Sequence, residues 1–154
     1  MVHVLELKIS PAVLGALAGL FMWLATRWAP AFTFALPQRG WIVAGVALVG
    51  AIIALAGVIS FRRARTTVNP TKPATASALV VSGIYKYTRN LMYLGFASVL
   101  LALAVFFSNA LALVVIPLFV AYLNRFQIRP EERAMASLFP DEFAAYKARV
   151  RRWL

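Results

Sequence analysis

The chain has 154 residues, 62% of them hydrophobic and 14% charged, with a formal net charge of +11. Soluble domains are nearer half apolar and a quarter charged, so this balance points to one compact membrane unit with no room for a separate soluble domain. Long unbroken apolar runs argue against a basic nucleic-acid module and for contact with anionic lipid headgroups, and the absence of cysteine excludes disulfides, thiolate metal sites and cysteine nucleophiles.

His3 is the one histidine, and a haem or zinc site needs more ligands than it offers, so no metal-ligand set is legible. The first apolar stretch runs from Pro11 to Trp28, interrupted only by Arg27. It is long for a signal peptide, and no small-residue cleavage site follows it. The second runs from Trp41 to Phe61 without a charge, enough to cross a hydrocarbon core of about 30 Å. The third, Leu91 to Phe107, and the fourth, Ala110 to Tyr122 and on towards residue 126, are separated only by Ser108-Asn109. So short a polar break predicts a tight turn between antiparallel helices. Pro117 lies inside the fourth span, where it should free a backbone carbonyl and bend the helix against a covering neighbour. The expected fold is all-α and polytopic, a single membrane domain over 1–154 with spans at 11–28, 41–61, 91–107 and 110–126.

Lys and Arg set the orientation. Lys8, six basic residues between the second and third spans and seven in the tail put fourteen of the 16 on one side, leaving Arg27 and Arg39 on the other. Four spans place both termini with the basic loop, so all three should be cytoplasmic, with a bacterial inner membrane as the expected setting. Trp23, Trp28 and Trp41 lie near span ends, as interfacial anchors do.

The loop of residues 62–90 is long for a helix connection. It opens on Arg62, Arg63 and Arg65, passes through Thr67-Val68-Asn69-Pro70-Thr71-Lys72-Pro73, and closes on Ser82-Gly83-Ile84-Tyr85-Lys86-Tyr87-Thr88-Arg89-Asn90. The two prolines favour an extended path, and the aromatic and β-branched residues predict order rather than a loose tether. In the tail, residues 127–154, Arg129-Pro130-Glu131-Glu132 reads as a helix start in its own right, with an end near Phe139-Pro140. A second tail helix from Asp141-Glu142 carries Phe143, Tyr146, Val150 and Trp153 at helical spacing, with Lys147, Arg149, Arg151 and Arg152 elsewhere on its surface. It reads as amphipathic, lying on the membrane surface or on the spans.

Ionisable residues beside apolar spans are costly unless paired or used. Arg89 and Asn90 stand where the third span begins, Tyr93 lies one turn further in, and Glu131 and Glu132 follow the fourth span. The hairpin returns these two sets to one face. Spacing alone leaves two readings open: a snorkelling Arg89 loosely paired with a helix-start glutamate, or a pocket for a small zwitterion. In the pocket, Arg89 would take a carboxylate and a glutamate an ammonium or a ribose diol, with Gly83 allowing close backbone approach.

The run Gly83-Ile84-Tyr85-Lys86-Tyr87-Thr88-Arg89-Asn90-Leu91-Met92-Tyr93-Leu94-Gly95 resembles the G-x-Y-R-Y-x-R-[HN]-P-x-Y-x-G stretch of the isoprenylcysteine carboxyl methyltransferase family. The phospholipid N-methyltransferases are its wider relatives. Glu131-Glu132-Arg133, the stretch from Phe139 to Tyr146, Thr67-Val68-Asn69-Pro70 and the Arg151-Arg152-Trp153-Leu154 ending also look familial. Three positions depart from the pattern: Leu91 stands for the usual proline, Pro140 for a glycine, and Asn90 is the variant that lacks an imidazole. The resemblance implies S-adenosylmethionine as methyl donor, with S-adenosylhomocysteine as product, in a pocket formed by the loop and the tail. Arg89, Glu131 and Glu132 would carry catalysis by holding the donor. Arg89 would pair with its carboxylate and Asn90 would add hydrogen bonds. Glu131 and Glu132 would hold the amino group or the ribose, and Gly83, Tyr85, Tyr93 and Leu94 would shape the adenosyl pocket. Displacement at a sulfonium methyl asks mainly for positioning, and no general base stands out. The expected acceptor is lipophilic, a carboxylate, thiol or amine, reached sideways from the membrane past the first two spans and the Thr67–Lys72 stretch. Two rival classes explain less. A small transporter needs polar groups near mid-membrane, which spans two to four lack, and a non-catalytic assembly protein leaves the two ordered motifs unexplained.

Overall fold

The computed structural model describes residues 6–63 and 76–154. His3, Arg65, Lys72 and the Thr67–Pro70 stretch lie outside the described residues. The described chain is helical: α1 (Pro11–Trp28), α2 (Arg39–Arg63), α3 (Leu91–Phe107), α4 (Ala110–Leu123), α5 (Arg129–Leu138) and α6 (Pro140–Arg149). Among the described residues there is no strand, and α1, α2 and the run from α4 onward are long and apolar enough to cross a membrane. The apolar α3 has 17 residues, about 26 Å of helix at the usual rise. This is an all-α integral membrane protein.

The hydrophobic third helix is the centre of the molecule, packing against α1, α2 and α4. Its contact with α2 is close because small residues meet there. A Cβ on Gly50 would stand 2.9 Å from the Ser98 Cβ, one on Gly57 3.1 Å from Leu91, and one on Gly95 3.4 Å from the Ala54 Cβ. Without a hydrophobic drive between helices in lipid, such close approach is what holds them. The rest of α2 points outward, with Leu48 and Leu55 each 62% exposed, as a lipid-facing surface should.

At one end of the bundle the two hairpin connections are tied together. Ser108 closes α3 in the left-handed conformation, φ 49°, and its amide caps the Ala104 and Val105 carbonyls. Asn109 begins α4 by accepting from the Leu111 amide. Its side-chain amide donates across to the Ala29 carbonyl at 3.1 Å and to the Thr33 hydroxyl at 3.2 Å. The Phe34 amide reaches the Ser108 carbonyl at 2.8 Å. Backbone groups at a turn beside lipid need such partners. The expected tight turn at Ser108-Asn109 is present.

At the opposite end the structure corrects the tail. Arg129-Pro130 does not start a separate helix. The chain stays helical from Ala110 to Leu138, passing through a π-helical turn at Asn124–Ile128. Proline has no amide and crowds the carbonyl four residues back, here that of Phe126. The wider turn absorbs the clash, and the freed Phe126 carbonyl accepts from the Leu7 amide at 3.0 Å. The segment before α1 is fastened there a second time, through Gln127 donating to the Ile9 carbonyl and Glu6 pairing with Arg125 and Arg133. The last helix is also shorter than its apolar spacing predicts. It ends at Arg149, and Val150 is extended. Phe143, Tyr146 and Val150 pack on Met135, Phe139 and Leu79, so that face lies on α5 and the loop before α3, while Trp153 leaves the helix and joins the main core.

Candidate functional site

The site begins where the loop approaches α3. Gly83 takes φ +63°, a conformation that L side chains rarely adopt, and a Cβ there would press on the Ser60 hydroxyl at 3.1 Å. This bend starts the short 3-10 turn Gly83–Lys86. It drives the Tyr85 ring into a buried cluster with Val80 and Leu91, against α2. Leu91, at the position where a proline was expected, is 1% exposed, so packing fixes the helix start in place of a proline ring. Pro140 also fits its position, since it opens α6 at the first helical residue.

Arg89 meets Glu132, and Tyr93 meets Glu131. Arg89 Nη1 lies 3.3 Å from Glu132 Oε1, and the two side chains are 9% and 15% exposed. Tyr93, one turn into α3, donates its hydroxyl to Glu131 Oε1. Arg152 was not expected here, yet it grips Glu132 with two parallel bonds, Nε to Oε1 at 3.1 Å and Nη2 to Oε2 at 2.6 Å. Such forked pairs are the stronger and better oriented kind. Arg89, by contrast, has no aligned partner for its buried Nε and Nη1 groups among the described residues. A buried donor without a partner is costly, and two on one guanidinium mark a place suited to an anion. A carboxylate fits that chemistry.

Asn90 is engaged within the chain. Its side-chain amide donates to the Arg152 carbonyl at 2.9 Å, and the Thr88 hydroxyl donates to the same oxygen at 3.3 Å. The Arg89 amide meets the Arg151 carbonyl at 3.1 Å, and the Trp153 indole donates to Asn124 at 3.1 Å. Residues 150–154 thus form a strap laid along the entrance to α3. Tyr146 completes the frame by donating to the Tyr85 carbonyl at 2.8 Å. Burial pushes the Tyr146 phenol up to about 12, with nearby Arg89 opposing the shift. It pushes Tyr85 higher still, helped by Tyr146 and Glu131. Both phenols therefore remain protonated donors near neutral pH. Leu94 is half-buried on α3, and its amide closes onto the Asn90 carbonyl; no side-chain bond ties it to the cluster.

Sequence reasoning missed Arg152, Thr88 and Tyr146. The Arg151-Arg152-Trp153-Leu154 ending carried a signal, but continuing α6 through it put Arg152 on an outer helix face.

Fold and site together define an integral membrane protein with a charged cluster where two returning helices meet a polar loop. The sequence model of the phospholipid methyltransferase family matches residues 39–142, and the chain belongs to that family. Membership implies a methyltransferase seated in the membrane and covers α2 to the start of α6, including Gly83 to Tyr93 and both glutamates; Arg152 lies beyond the matched stretch. The chain is also 43% identical over 63 residues to an uncharacterized protein of Haemophilus influenzae, a match covering 41% of this chain and 100% of that protein. No solved structure matches.

Proposed function

We propose that this protein transfers a methyl group from S-adenosylmethionine to a lipophilic acceptor that reaches the site from the bilayer. The carrying observation is Arg89: a guanidinium buried at the head of α3, with the Glu132 carboxylate beside it and two nitrogens that find no aligned hydrogen-bond partner among the described residues. Arg89 would hold the donor's carboxylate. Glu131, presented with the Tyr93 hydroxyl, would hold its ammonium or ribose, and the Gly83–Tyr85 turn would flank the adenosyl part. When bound, the donor supplies a methyl group already activated by a sulfonium. The chain's own task is then to keep this end still, exclude water with the buried Tyr85 and Tyr93 rings, and leave the approach open from the membrane. Fourteen of the 16 basic residues favour the cytoplasm for this end, where a soluble donor is at hand. The acceptor is a carboxylate, thiol or amine on an apolar body.

Purified protein in detergent tests the reading. Calorimetry should show binding of S-adenosylhomocysteine, lost in Arg89→Ala, and labelled S-adenosylmethionine should mark a species in a membrane lipid extract. Binding by neither compound would overturn the proposal. Binding unaffected by Arg89→Ala would return that residue to a snorkelling role.

A further inference from the structure

Two oppositely charged side chains alone, Arg89 and Glu132, would neutralise each other and leave nothing for a ligand. The structure avoids that outcome with a third group. Both oxygens of Glu132 are claimed by the Arg152 fork. Arg89 Nη1 touches the same carboxylate at 3.3 Å without an aligned hydrogen bond, and among the described residues its Nε and Nη1 have no hydrogen-bond partner. The three side chains carry one formal net positive charge, and Arg89 among them is nine-tenths buried. Glu131 stands apart from them, bonded to the Tyr93 hydroxyl. The two glutamates are thus unequal although adjacent in sequence.

We propose that Arg152 is a positioning residue that occupies Glu132 and so keeps Arg89 available for a ligand carboxylate. This rests on the donor-binding reading above. It assigns a role to the C-terminal strap, which the family match does not reach. The strap's docking does not depend on the Arg152 side chain. It is held by the Arg151 and Arg152 carbonyls and by the Trp153 indole, so a side-chain change at Arg152 alters charge while the backbone stays anchored. Without Arg152, Glu132 would turn to Arg89 and take its free N–H groups.

The test is calorimetry in detergent with two probes, S-adenosylhomocysteine and its decarboxylated analogue. Wild type should prefer the carboxylated probe. Arg152→Gln should weaken S-adenosylhomocysteine by about tenfold or more, the scale of a charge-assisted bond, and leave the decarboxylated analogue unchanged. Arg152→Lys should fall between, since it keeps the charge and loses the fork. The double variant Glu132→Gln/Arg152→Gln should regain affinity for S-adenosylhomocysteine, because nothing then competes for Arg89. Equal weakening of both probes by Arg152→Gln would make the residue merely structural and overturn the inference. So would an unaffected S-adenosylhomocysteine affinity, a double variant no better than the single, or a wild type that binds both probes equally. A wild type that binds neither probe would overturn the donor-binding reading, and this inference with it.

Discussion

Replacing Asn90 by alanine separates two roles. If Asn90 touches the donor, as the resemblance implies, ligand affinity should collapse; if it anchors the strap, the strap should loosen first. In the structure its amide donates to the Arg152 carbonyl at 2.9 Å in a setting where Asn90 is only 8% exposed. The alanine variant leaves that carbonyl with the Thr88 hydroxyl at 3.3 Å. Losing one bond to a shielded carbonyl costs about 1–2 kcal/mol, so strap release should become roughly five- to thirtyfold more frequent. The Arg89 amide, the Trp153 indole and the Arg152–Glu132 pair still hold the strap, so release stays a minor state. Two probes read it without any ligand: trypsin cleavage after Arg151 and Arg152, and hydrogen exchange at the Arg89 amide, which donates to the Arg151 carbonyl. Both should accelerate by that factor in Asn90→Ala. Thr88→Val should give a smaller acceleration, and because the two donors share one acceptor their effects should not add. Unchanged strap protection together with lost ligand affinity would refute the reasoning.

Three further outcomes are expected. Gly50→Val should destabilise the α2–α3 pair by about 1–3 kcal/mol, because the new Cβ meets the Ser98 Cβ at 2.9 Å. Gly45→Ala, with nothing within 4 Å of its Cβ, should be neutral, both read as thermal denaturation in detergent. Asn109→Ala removes the bonds to Ala29, Thr33 and Leu111 from a site that is 0% exposed; it should cost about 2–4 kcal/mol and lower the denaturation temperature while leaving donor affinity intact. The chain has no cysteine, so single cysteines report topology cleanly. Gln38→Cys should react with an impermeant maleimide from outside the cell and Ala148→Cys only in inverted vesicles, and the reverse pattern would invert the assigned orientation.

The places where sequence and structure part share a cause. At Pro130 the sequence carries the signature of a helix start, a proline followed by two acids. A π turn inside a continuing helix has the same local requirement, a residue whose amide needs no partner. What decides between them is the Phe126 carbonyl finding the Leu7 amide, a contact between residues far apart in the chain. At Val150 the apolar spacing continues beyond α6, but the strap is pulled into extended form by the Thr88, Arg89 and Asn90 donors, which no local pattern encodes.

By itself the sequence determined that this is an all-α membrane protein, where its apolar helices lie, and that Arg89 and the returning glutamates share one face. Those features depend on hydrophobic length and on a tight turn at Ser108-Asn109, both local properties. Only the tertiary structure decided how the charges are shared. Glu132 belongs to Arg152 and Glu131 to Tyr93, because a carboxylate's partner depends on which donors the fold brings within about 3 Å, and one of these comes from the C-terminal strap.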